Sequence, residues 1–292
     1  LVQMLTQAGI SAESKIRHPN DPIVLVGGPA VSANPEPYVD IVDAFVIGEG
    51  DLVIHEIIET VKKSESRHES LMSLAGIKGI YVPDVSTYVK RLIIPDIDSL
   101  FHPTAQVIPF REEDQKLDPV FGRSLLVEVS RGCGHSCKFC LIGHVCRPRR
   151  VRSLQRLKDI IEKGLRETPV RKVSLIASSL GDLDSLDSLS TWIVNQELEF
   201  SVPSLRADTV TPELLHALHK GGQRTLTIAP ETGSARLRRH LGKGLSDEAI
   251  YKAAELAAEA GYLSIKAYYI VGLPGETDDD VLSIAEMSKT LT

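Results

Sequence analysis

Short apolar runs alternate with longer stretches of helical periodicity along most of the chain. The pattern is most regular after residue 124, where five apolar runs of strand length are each followed by apolar residues at helical spacing. The predicted strands are 125–129, 172–177, 199–202, 225–228 and 264–271, and the predicted helices are 154–167, 186–195, 212–219, 247–260 and the segment after 271. Continuous apolar strands that alternate with helices predict a parallel α/β sheet, and five such units predict a barrel or partial barrel.

The first 63 residues show a shorter strand-and-helix pattern. The predicted elements are a helix over 2–8, apolar strands over 23–26 and 44–47, and a helix over 52–63. The residues that follow the two strands are Gly27, Gly28, Gly48, Glu49 and Gly50. Ligands of doubly wound sheets bind beyond the carboxyl ends of the strands, so these residues are candidates for lining a crevice, with tight turns as the alternative.

Residues 64–118 are predicted to form a linker. The segment starts with the polar residues 64–70, and five prolines lie between Pro83 and Pro119, both included. Proline removes a backbone donor and fixes φ, so this density favours an extended connection over a domain with its own core. The expected organisation is therefore 1–63, 64–118 and 119–292. The chain begins with leucine and ends within its last predicted helix, so we expect a fragment cut at both ends.

Three cysteines follow the first strand of the predicted barrel. Cys133, Cys137 and Cys140 have the spacing C-x3-C-x2-C, and soft thiolates this close together favour an iron–sulfur cluster or zinc. A [4Fe-4S] cluster held by three cysteines keeps one iron open, where a substrate or cofactor can bind. The spacing therefore predicts a metal centre that can do chemistry.

A zinc knuckle and a ferredoxin-type loop are the alternatives. Zinc sites usually repeat a C-x2-C pair and close with a fourth Cys or His, and His135, His144 and Cys146 are close enough in sequence to serve. We interpret Cys146 as a small buried residue rather than a fourth ligand.

Composition narrows the class of protein. The chain is 42% hydrophobic and 25% charged, which is ordinary for a globular protein. Its net charge of −6 argues against a broad nucleic-acid surface, and no apolar run approaches the ~20 residues that span a bilayer. Four cysteines, three of them in one loop, do not make a disulfide framework, so a reducing, cytoplasmic compartment is expected.

Residues 128–140 resemble the signature of the radical S-adenosylmethionine (AdoMet), or radical SAM, superfamily. In that superfamily the open iron binds the amino and carboxylate groups of AdoMet. Residues 8–10, 26–36 and 46–50 resemble the second half of a cobalamin (B12)-binding-type domain, although its D-x-H-x-x-G motif is absent here. The resemblance implies an α/β fold: a partial (βα)6-type radical SAM barrel preceded by the C-terminal half of a doubly wound (Rossmann-like) B12-binding-type domain.

The resemblance also assigns site residues at successive strand ends. It implies that Phe139 packs near the adenine and that a G-G-E-like segment after the second strand holds the AdoMet amino group; this chain departs from that segment, so the role passes to Ser178, Ser179 and Asp182. An arginine can clamp a carboxylate with two parallel hydrogen bonds, so Arg206 after the third strand is a candidate for the AdoMet carboxylate. A helix N-cap, a structural ion pair and an ordinary turn are the alternatives for Asp182, Arg206 and Gly272. The cofactor-binding residues implied are Phe139, Ser178, Ser179, Asp182, Ser204, Arg206, Glu231, Gly272 and Pro274.

The basic segment 147–153 resembles an R-P-x-R-x-R-S segment of the same superfamily. A solvated basic face is the ordinary interpretation of such a run. A cationic tract after the cysteines could instead offset the negative charge of a cluster or meet an anionic substrate.

The function that the resemblance implies is reductive cleavage of AdoMet to a 5′-deoxyadenosyl radical. The cofactors would be a [4Fe-4S] cluster, AdoMet and, in a longer protein, cobalamin, with flavodoxin or ferredoxin as the one-electron reductant. A cobalamin-dependent methyltransferase of unknown substrate is the expected subclass. A methylthiotransferase is the rival, but such enzymes carry three further cysteines in their N-terminal domain, and residues 1–132 contain none. The non-enzyme alternative is a zinc or iron–sulfur structural or electron-transfer module.

The cysteine spacing generates a direct prediction. Cys133→Ala, Cys137→Ala and Cys140→Ala should each lose most of the iron bound after anaerobic reconstitution, because each removes one cluster ligand. Cys146→Ala should keep it, and iron and sulfide analysis measures the difference. An equal loss in Cys146→Ala would mean a four-cysteine site without an open iron.

Overall fold

The computed structural model describes residues 1–108 and 121–292, and the chain divides into two compact units. The first unit comprises residues 1–96 and 144–146, and the second comprises 97–143 and 147–292. Within the described ranges, no helix is both long enough and apolar enough to cross a membrane.

A small mixed sheet forms the centre of the first unit. Its elements are α1 (Val2–Gln7), β1 (Leu25–Gly27), α2 (Pro29–Ala33), β2 (Ala44–Val46), α3 (Ile54–Lys63), α4 (Arg67–Leu74) and β3 (Ile80–Tyr81). Strands β1 and β2 are parallel, as the apolar runs predict, with Leu25 opposite Ala44. Strand β3 joins the other edge of β2 in the antiparallel direction, with Phe45 opposite Tyr81.

The first part of the predicted linker belongs to this unit. Helix α4 and strand β3 lie within residues 64–96, where Leu74 and Ile80 are buried in the same apolar cluster as Ala44 of β2. Arg67 of α4 pairs at 2.5 Å with the buried carboxylate of Asp43, next to β2. The linker prediction fails here because the prolines flank short apolar segments instead of interrupting them. The rest of that prediction, after residue 108, falls mainly on residues outside the described ranges.

The second unit alternates strands and helices. Its elements are β4 (Leu125–Glu128), β5 (Ser130–Arg131), β6 (Arg150–Val151), α6 (Leu154–Glu167), β7 (Lys172–Ile176), α7 (Leu186–Asn195), β8 (Glu199–Ser201), α8 (Pro212–Lys220), β9 (Thr225–Glu231), α9 (Ala235–His240), α10 (Asp247–Glu259), β10 (Ser264–Tyr269) and α11 (Asp278–Thr290). A short helix, α5 (Ile142–Val145), lies at the division between the units. Helices α6 and α7 have the predicted bounds, while α9 and the β5–β6 hairpin were not predicted.

The five long strands of this unit are parallel neighbours. Strands β4, β7 and β8 form one sheet and β9 pairs with β10. A parallel bridge between Leu205 and Ile228 connects the two groups just after β8. The order β4-β7-β8-β9-β10 is the one expected for a partial barrel, and it brings all five carboxyl ends to the same edge.

Side chains cover the outer edge of β4. The side-chain amide of Gln106 makes two hydrogen bonds to the backbone of Leu126. The Leu126 N–H donates to Gln106 Oε1 at 2.9 Å, and Gln106 Nε2 donates to the Leu126 carbonyl oxygen at 2.7 Å. The buried His102 accepts the N–H of Glu128 on Nε2 at 3.0 Å, so its proton lies on Nδ1, which faces the Pro103 carbonyl. These bonds satisfy backbone groups that an unpaired edge strand would expose.

The edge contact of His102 makes stability depend on pH. Burial lowers the pKa of His102, and the charge of Arg152 adds to that effect. The folded protein therefore favours the neutral imidazole. The contribution of His102 to the free energy of unfolding is complete above the unfolded pKa of about 6.5 and decreases as the pH falls below that value.

We expect the free-energy difference between the wild type and His102→Gln to shrink from pH 8 to pH 5.5, by at most ~1.4 kcal/mol per pH unit. Urea unfolding at several pH values measures it. The matched control is His55→Gln, since His55 is exposed, and it should leave the pH dependence unchanged. A difference between wild type and His102→Gln that stays constant with pH would contradict the assignment.

Candidate functional site

The cysteine loop follows β4 and is enclosed by the β5–β6 hairpin. Cys133 and Cys137 are 8% and 9% exposed, whereas Cys140 is partly exposed, and all are free thiols. The base of the loop is fixed by Glu128, whose carboxylate receives Arg131 Nε at 2.9 Å and Arg152 Nη2 at 3.2 Å. The loop therefore leaves the sheet from a partly buried ionic anchor.

Arg147 binds the loop from outside. Its Nη2 lies 3.1 Å from the carbonyl oxygen of Gly134, 2.8 Å from that of His135 and 2.7 Å from Ser136 Oγ. Arg147 and Arg152 thus make structural contacts, so the basic segment 147–153 is not simply a solvated face.

Two further bonds join the loop to the edge of the barrel. His135 donates from Nε2 to Asp182 Oδ2 at 2.8 Å, and the Lys138 N–H donates to the Leu241 carbonyl at 2.8 Å. Gly242 approaches the loop so closely that a Cβ there would lie 2.9 Å from the Ser136 carbonyl oxygen, and its φ is +71°. Only glycine suits both conditions at this position.

A buried ion pair lies at the end of β9. Lys243 donates from Nζ to Glu231 Oε1 at 2.7 Å, and the two side chains are 9% and 10% exposed. Glu231 has a φ of +69°, which is unfavourable for a residue with a side chain and is found mainly where the surroundings enforce it. The Lys243 carbonyl also accepts a bond from Arg206 Nη1 at 3.1 Å. Lys243 therefore connects the ends of β8 and β9.

These cations act on the cysteine loop. Burial raises the pKa of the Cys137 thiol, Lys243 and Arg206 lower it, and Cys140 and Cys133 raise it, with a net rise. Three thiols and two cations thus share one electrostatic site. Lys243 and Arg206, from two other strand ends, thus offset part of the effect of burial on the Cys137 thiol.

Arg206 forms an ion pair with Asp208. Its guanidinium donates to both carboxylate oxygens of Asp208, at 3.0 and 2.7 Å, so one edge of the guanidinium is engaged. Burial lowers the pKa of Arg206, but the ion pair with Asp208 and the charges of Asp182 and Cys137 raise it overall. A contact of Arg206 with the AdoMet carboxylate stays a prediction. The sequence spacing i, i+2 does not reveal this pairing.

The predicted ammonium site after β7 is partly retained. Asp182 is engaged by His135, and Ser178 is exposed. Ser179 Oγ is buried and has no hydrogen-bond partner among the described residues. Gly181 lies against Thr209, where a Cβ would be 1.9 Å from Oγ1, so the loops after β7 and β8 are in direct contact.

Two predicted contact residues are open to solvent. Phe139 is 42% exposed, and Ser204 is also exposed. The Phe139 ring is therefore not part of the apolar core.

The turn after β10 is held closed by its own side chain. Gly272 has a φ of +90°, and its N–H donates to Glu276 Oε2 at 2.6 Å, while Pro274 is exposed. The amide of Gly272 is therefore engaged within the turn, and a contact of this turn with AdoMet stays a prediction. The adjacent Leu273 packs with Leu237 of α9, which attaches this turn to the rest of the edge.

The predicted crevice in the first unit is only partly open. A Cβ on Gly48 would lie 2.2 Å from the Leu92 carbonyl oxygen, and Glu49 Oε2 accepts the Ile94 N–H at 2.6 Å. The segment 91–94 therefore covers the end of β2, which the prediction of an extended linker did not foresee. Gly50 and Gly27 contact Val46, while Gly28, with a φ of +102°, faces open space.

Sequence reasoning missed Lys243. The signal available in the sequence was the triplet Gly242-Lys243-Gly244. In the structure both glycines have a positive φ, and the lysine lies where the backbone passes close to neighbouring segments. Its pairing with Glu231 depends on the unpredicted helix α9, which carries the chain back to the end of β9.

The thiol loop fits an iron–sulfur cluster. Within the described ranges, no three His, Cys, Asp or Glu side chains converge as a site for a single metal ion. A [4Fe-4S] cluster binds one thiolate at each of several irons, so its ligands need not converge on one point. The His135 N–H lies 3.4 Å from Cys133 Sγ, and backbone donors to sulfur of this kind tune such clusters.

The ion pair of Lys243 generates a stability prediction. Lys243→Met leaves the Glu231 carboxylate buried and unpaired, and removing one partner of a buried pair costs about 3–5 kcal/mol. We expect a loss of roughly that size in urea unfolding of the cluster-free protein. The double variant Lys243→Met/Glu231→Gln removes both charges and should recover part of the loss. As a control, Lys252→Met breaks only an exposed pair and should change stability by less than ~1 kcal/mol. No recovery in the double variant would show that the charge pair is not the cause.

Comparison with known proteins agrees with this geometry. Residues 127–288 match the family described as the radical SAM superfamily, and residues 1–83 match the N-terminal region of radical SAM proteins. The chain is 33% identical to an uncharacterized protein of Methanocaldococcus jannaschii over 91% of this chain and 56% of that protein.

The names of two more relatives include a reaction class. An uncharacterized methyltransferase of Pyrococcus horikoshii is 26% identical over 92% of this chain and 58% of its own length. The ribosomal protein uS12 methylthiotransferase RimO of Desulfotalea psychrophila is 27% identical over 70% of this chain and 48% of its own length. The chain therefore spans about half the length of the curated relatives it matches.

Two solved structures share the fold. The cobalamin-dependent radical enzyme OxsB with aqua-cobalamin bound matches with a TM-score of 0.65 at 19% identity, over 98% of this chain and 40% of that one. The methyltransferase TsrM of Kitasatospora setae, with cobalamin and a [4Fe-4S] cluster bound, matches with a TM-score of 0.65 at 17% identity, over 91% and 54%. With a family match that covers more than half of its residues, this chain belongs to the radical SAM superfamily of enzymes.

Proposed function

We propose that the second unit is the AdoMet-cleaving core of a cobalamin-dependent methyltransferase. The observation that carries the core assignment is a chain of contacts around the cysteine loop. His135–Asp182 joins the loop to the end of β7, Lys138–Leu241 joins it to the segment after α9, and Lys243–Glu231 joins that segment to the end of β9. Cys133, Cys137 and Cys140 are the proposed ligands of a [4Fe-4S] cluster.

The cluster, when bound, supplies the electron that cleaves AdoMet to methionine and a 5′-deoxyadenosyl radical. The chain's own residues prepare the place where this happens. Burial of Cys133 and Cys137 keeps water from the sulfurs, and the positive charges of Lys243 and Arg206 favour the Cys137 thiolate against the effect of that burial. Arg147 and Asp182 hold the loop in one conformation.

AdoMet needs a donor for its carboxylate and an acceptor for its ammonium. Lys243 has three N–H donors and spends one on Glu231, so it joins Arg206 as a candidate for the carboxylate. Ser179 Oγ is a buried hydroxyl without a partner among the described residues and is our candidate acceptor for the ammonium. The exposed ring of Phe139 is available to cover the adenine, as the family resemblance implied.

The methyltransferase assignment rests on two supports. Both solved structures compared above are of enzymes described with cobalamin, and one relative is described as a methyltransferase. In this chain Gly28 opens to space at the end of β1, but the end of β2 is covered by 91–94. We therefore propose that cobalamin binding needs residues beyond those present here.

Methylthio transfer is the second candidate. The relative RimO favours it, but the three further cysteines expected in the N-terminal domain of such enzymes are absent from residues 1–132. For either reaction we propose a one-electron reductant such as flavodoxin or ferredoxin as the redox partner, and a substrate whose identity is open.

The decisive experiment follows AdoMet and its products. Iron-reconstituted protein with dithionite and AdoMet should form 5′-deoxyadenosine and methionine, detected by mass spectrometry. Lys243→Met should weaken AdoMet binding about 10- to 100-fold, the loss of one charged hydrogen bond of about 1.5–3 kcal/mol, while Lys252→Met should not. No AdoMet-derived product from an iron-replete protein would contradict the proposal, and unchanged affinity in Lys243→Met would remove that residue from the AdoMet site.

A further inference from the structure

Basic and acidic residues are unevenly distributed along this chain. Residues 129–158 contain eight Lys and Arg and no Asp or Glu, and residues 232–246 contain four Lys and Arg and again no Asp or Glu. All other residues together contain 21 Lys and Arg against 39 Asp and Glu. A chain with a net charge of −6 therefore concentrates positive charge in two segments, one of which carries the three cysteines.

The two basic segments meet at the cysteine loop, within the second unit. The Lys138 N–H donates to the Leu241 carbonyl oxygen at 2.8 Å, and a Cβ on Gly242 would lie 2.9 Å from the Ser136 carbonyl oxygen. Arg239 lies in the last turn of α9, two residues before Leu241. Because consecutive Cα atoms are ~3.8 Å apart, the Cα atoms of Lys138 and Arg239 are at most ~15 Å apart.

The side chains of Lys138 and Arg239 differ from other cations of these segments. Both are exposed, and neither makes a hydrogen bond or an ion pair with any residue that the structure describes. Their charge is therefore presented to solvent beside the cysteine loop. Five other cations pair with carboxylates: Arg131 and Arg152 with Glu128, Arg236 with Asp280, Arg238 with Asp247, and Lys243 with Glu231.

The cysteine loop itself reaches the surface next to these cations. Cys140 is partly exposed, in contrast to the buried Cys133 and Cys137, and the following residue, Leu141, is 47% exposed. An apolar contact with charged groups around it is the usual composition of a protein interface. A protein that docks here comes close to a proposed cluster ligand.

We propose that Lys138, Arg239 and Leu141 form the docking surface for an acidic one-electron carrier protein. The inference rests on the proposed function, because a redox cluster is what such a partner would serve. The reduced carrier gives up one electron and becomes oxidised, and the oxidised cluster held by the three cysteines takes up that electron. No covalent bond forms or breaks in this step.

Charge complementarity favours an acidic protein over a nucleic acid at this surface. Complementary charge raises the rate of encounter by roughly 10- to 1,000-fold, and redox complexes often bury less than about 1,200 Å². Two unpaired cations beside one apolar residue suit such a small, brief contact. A long nucleic acid would also meet the rest of the chain, where carboxylates outnumber Lys and Arg by 39 to 21.

The test compares two reductants of the iron-reconstituted chain. Fully reduced flavodoxin, used as the acidic carrier, has to dock, whereas dithionite is a small molecule that needs no docking surface. Stopped-flow absorbance gives the second-order rate constant of cluster reduction with each reductant. We expect the rate constant with flavodoxin to fall as salt is added, since the Debye length shrinks from ~30 Å at 0.01 M to ~10 Å at 0.1 M.

Charge reversal locates the surface. Lys138→Glu/Arg239→Glu should lower the ratio of the flavodoxin rate constant to the dithionite rate constant by ~10-fold or more at low salt. Arg239→Glu alone, which lies outside the cysteine loop, should give part of this loss. Lys138→Arg/Arg239→Lys keeps both charges and should keep the ratio. The matched control is Lys220→Glu, at an exposed lysine in the last turn of α8 before the amino end of β9, and it should leave the ratio unchanged.

An unchanged ratio in the double charge reversal would overturn the docking surface. Binding of total transfer RNA that Arg239→Glu abolishes, with an unchanged ratio of rate constants, would also overturn it and assign the surface to a nucleic acid. Failure of the proposed function is a separate result, because it would appear as no cleavage of AdoMet by the wild type with dithionite.

Discussion

The backbone segment 241–243 holds the whole edge of the second unit together. Leu241 accepts the Lys138 N–H of the cysteine loop, and Gly242 allows the Ser136 carbonyl to approach. Lys243 pairs with Glu231 at the end of β9 and accepts Arg206 from the end of β8 on its carbonyl oxygen. The cysteine loop has separate anchors at Glu128, Arg147 and Asp182.

A buried cation at this point has an electrostatic reason. Taking a lysine out of water is costly unless a charge partner and further polar contacts compensate. Glu231 supplies that partner from a strained backbone conformation, which indicates that the surroundings enforce its position. The same ammonium acts on Cys137 and therefore favours the thiolate form that a metal requires. The strain and the burial are both explained if this edge is a site for an anionic cluster and a charged cofactor.

The sequence predicted the barrel well because its elements carry local signals. Helix α6 begins where Ser153 caps it, and its buried residues recur at helical spacing. Strands β4, β7 and β9 each carry at least two buried apolar side chains. Side-chain pairings were less accessible. Two examples are the pairs Arg206–Asp208 and Lys243–Glu231. They depend on the short helix α9 and on loop geometry, which the spacing of apolar residues does not predict.

The first unit shows the same limit. The parallel pair of strands β1 and β2 could be predicted from two apolar runs. The need for a glycine at position 48 could not, because it arises from the close approach of Leu92, which is distant in sequence. The density of prolines predicted an extended linker over residues 64–118. Its first part instead packs into the first unit, because Leu74 and Ile80 are buried in the apolar core of that unit. Long-range packing overrode a local signal at this position.

The central claim is that three cysteines hold a cluster whose open iron binds AdoMet. Electron paramagnetic resonance of the dithionite-reduced, iron-reconstituted chain tests it most directly when spectra are recorded with and without AdoMet. The account predicts the signal of a reduced [4Fe-4S] cluster, with g values that shift when AdoMet is added. A reduced cluster whose spectrum is identical at saturating AdoMet, or a protein that retains zinc and shows no such signal, would contradict it.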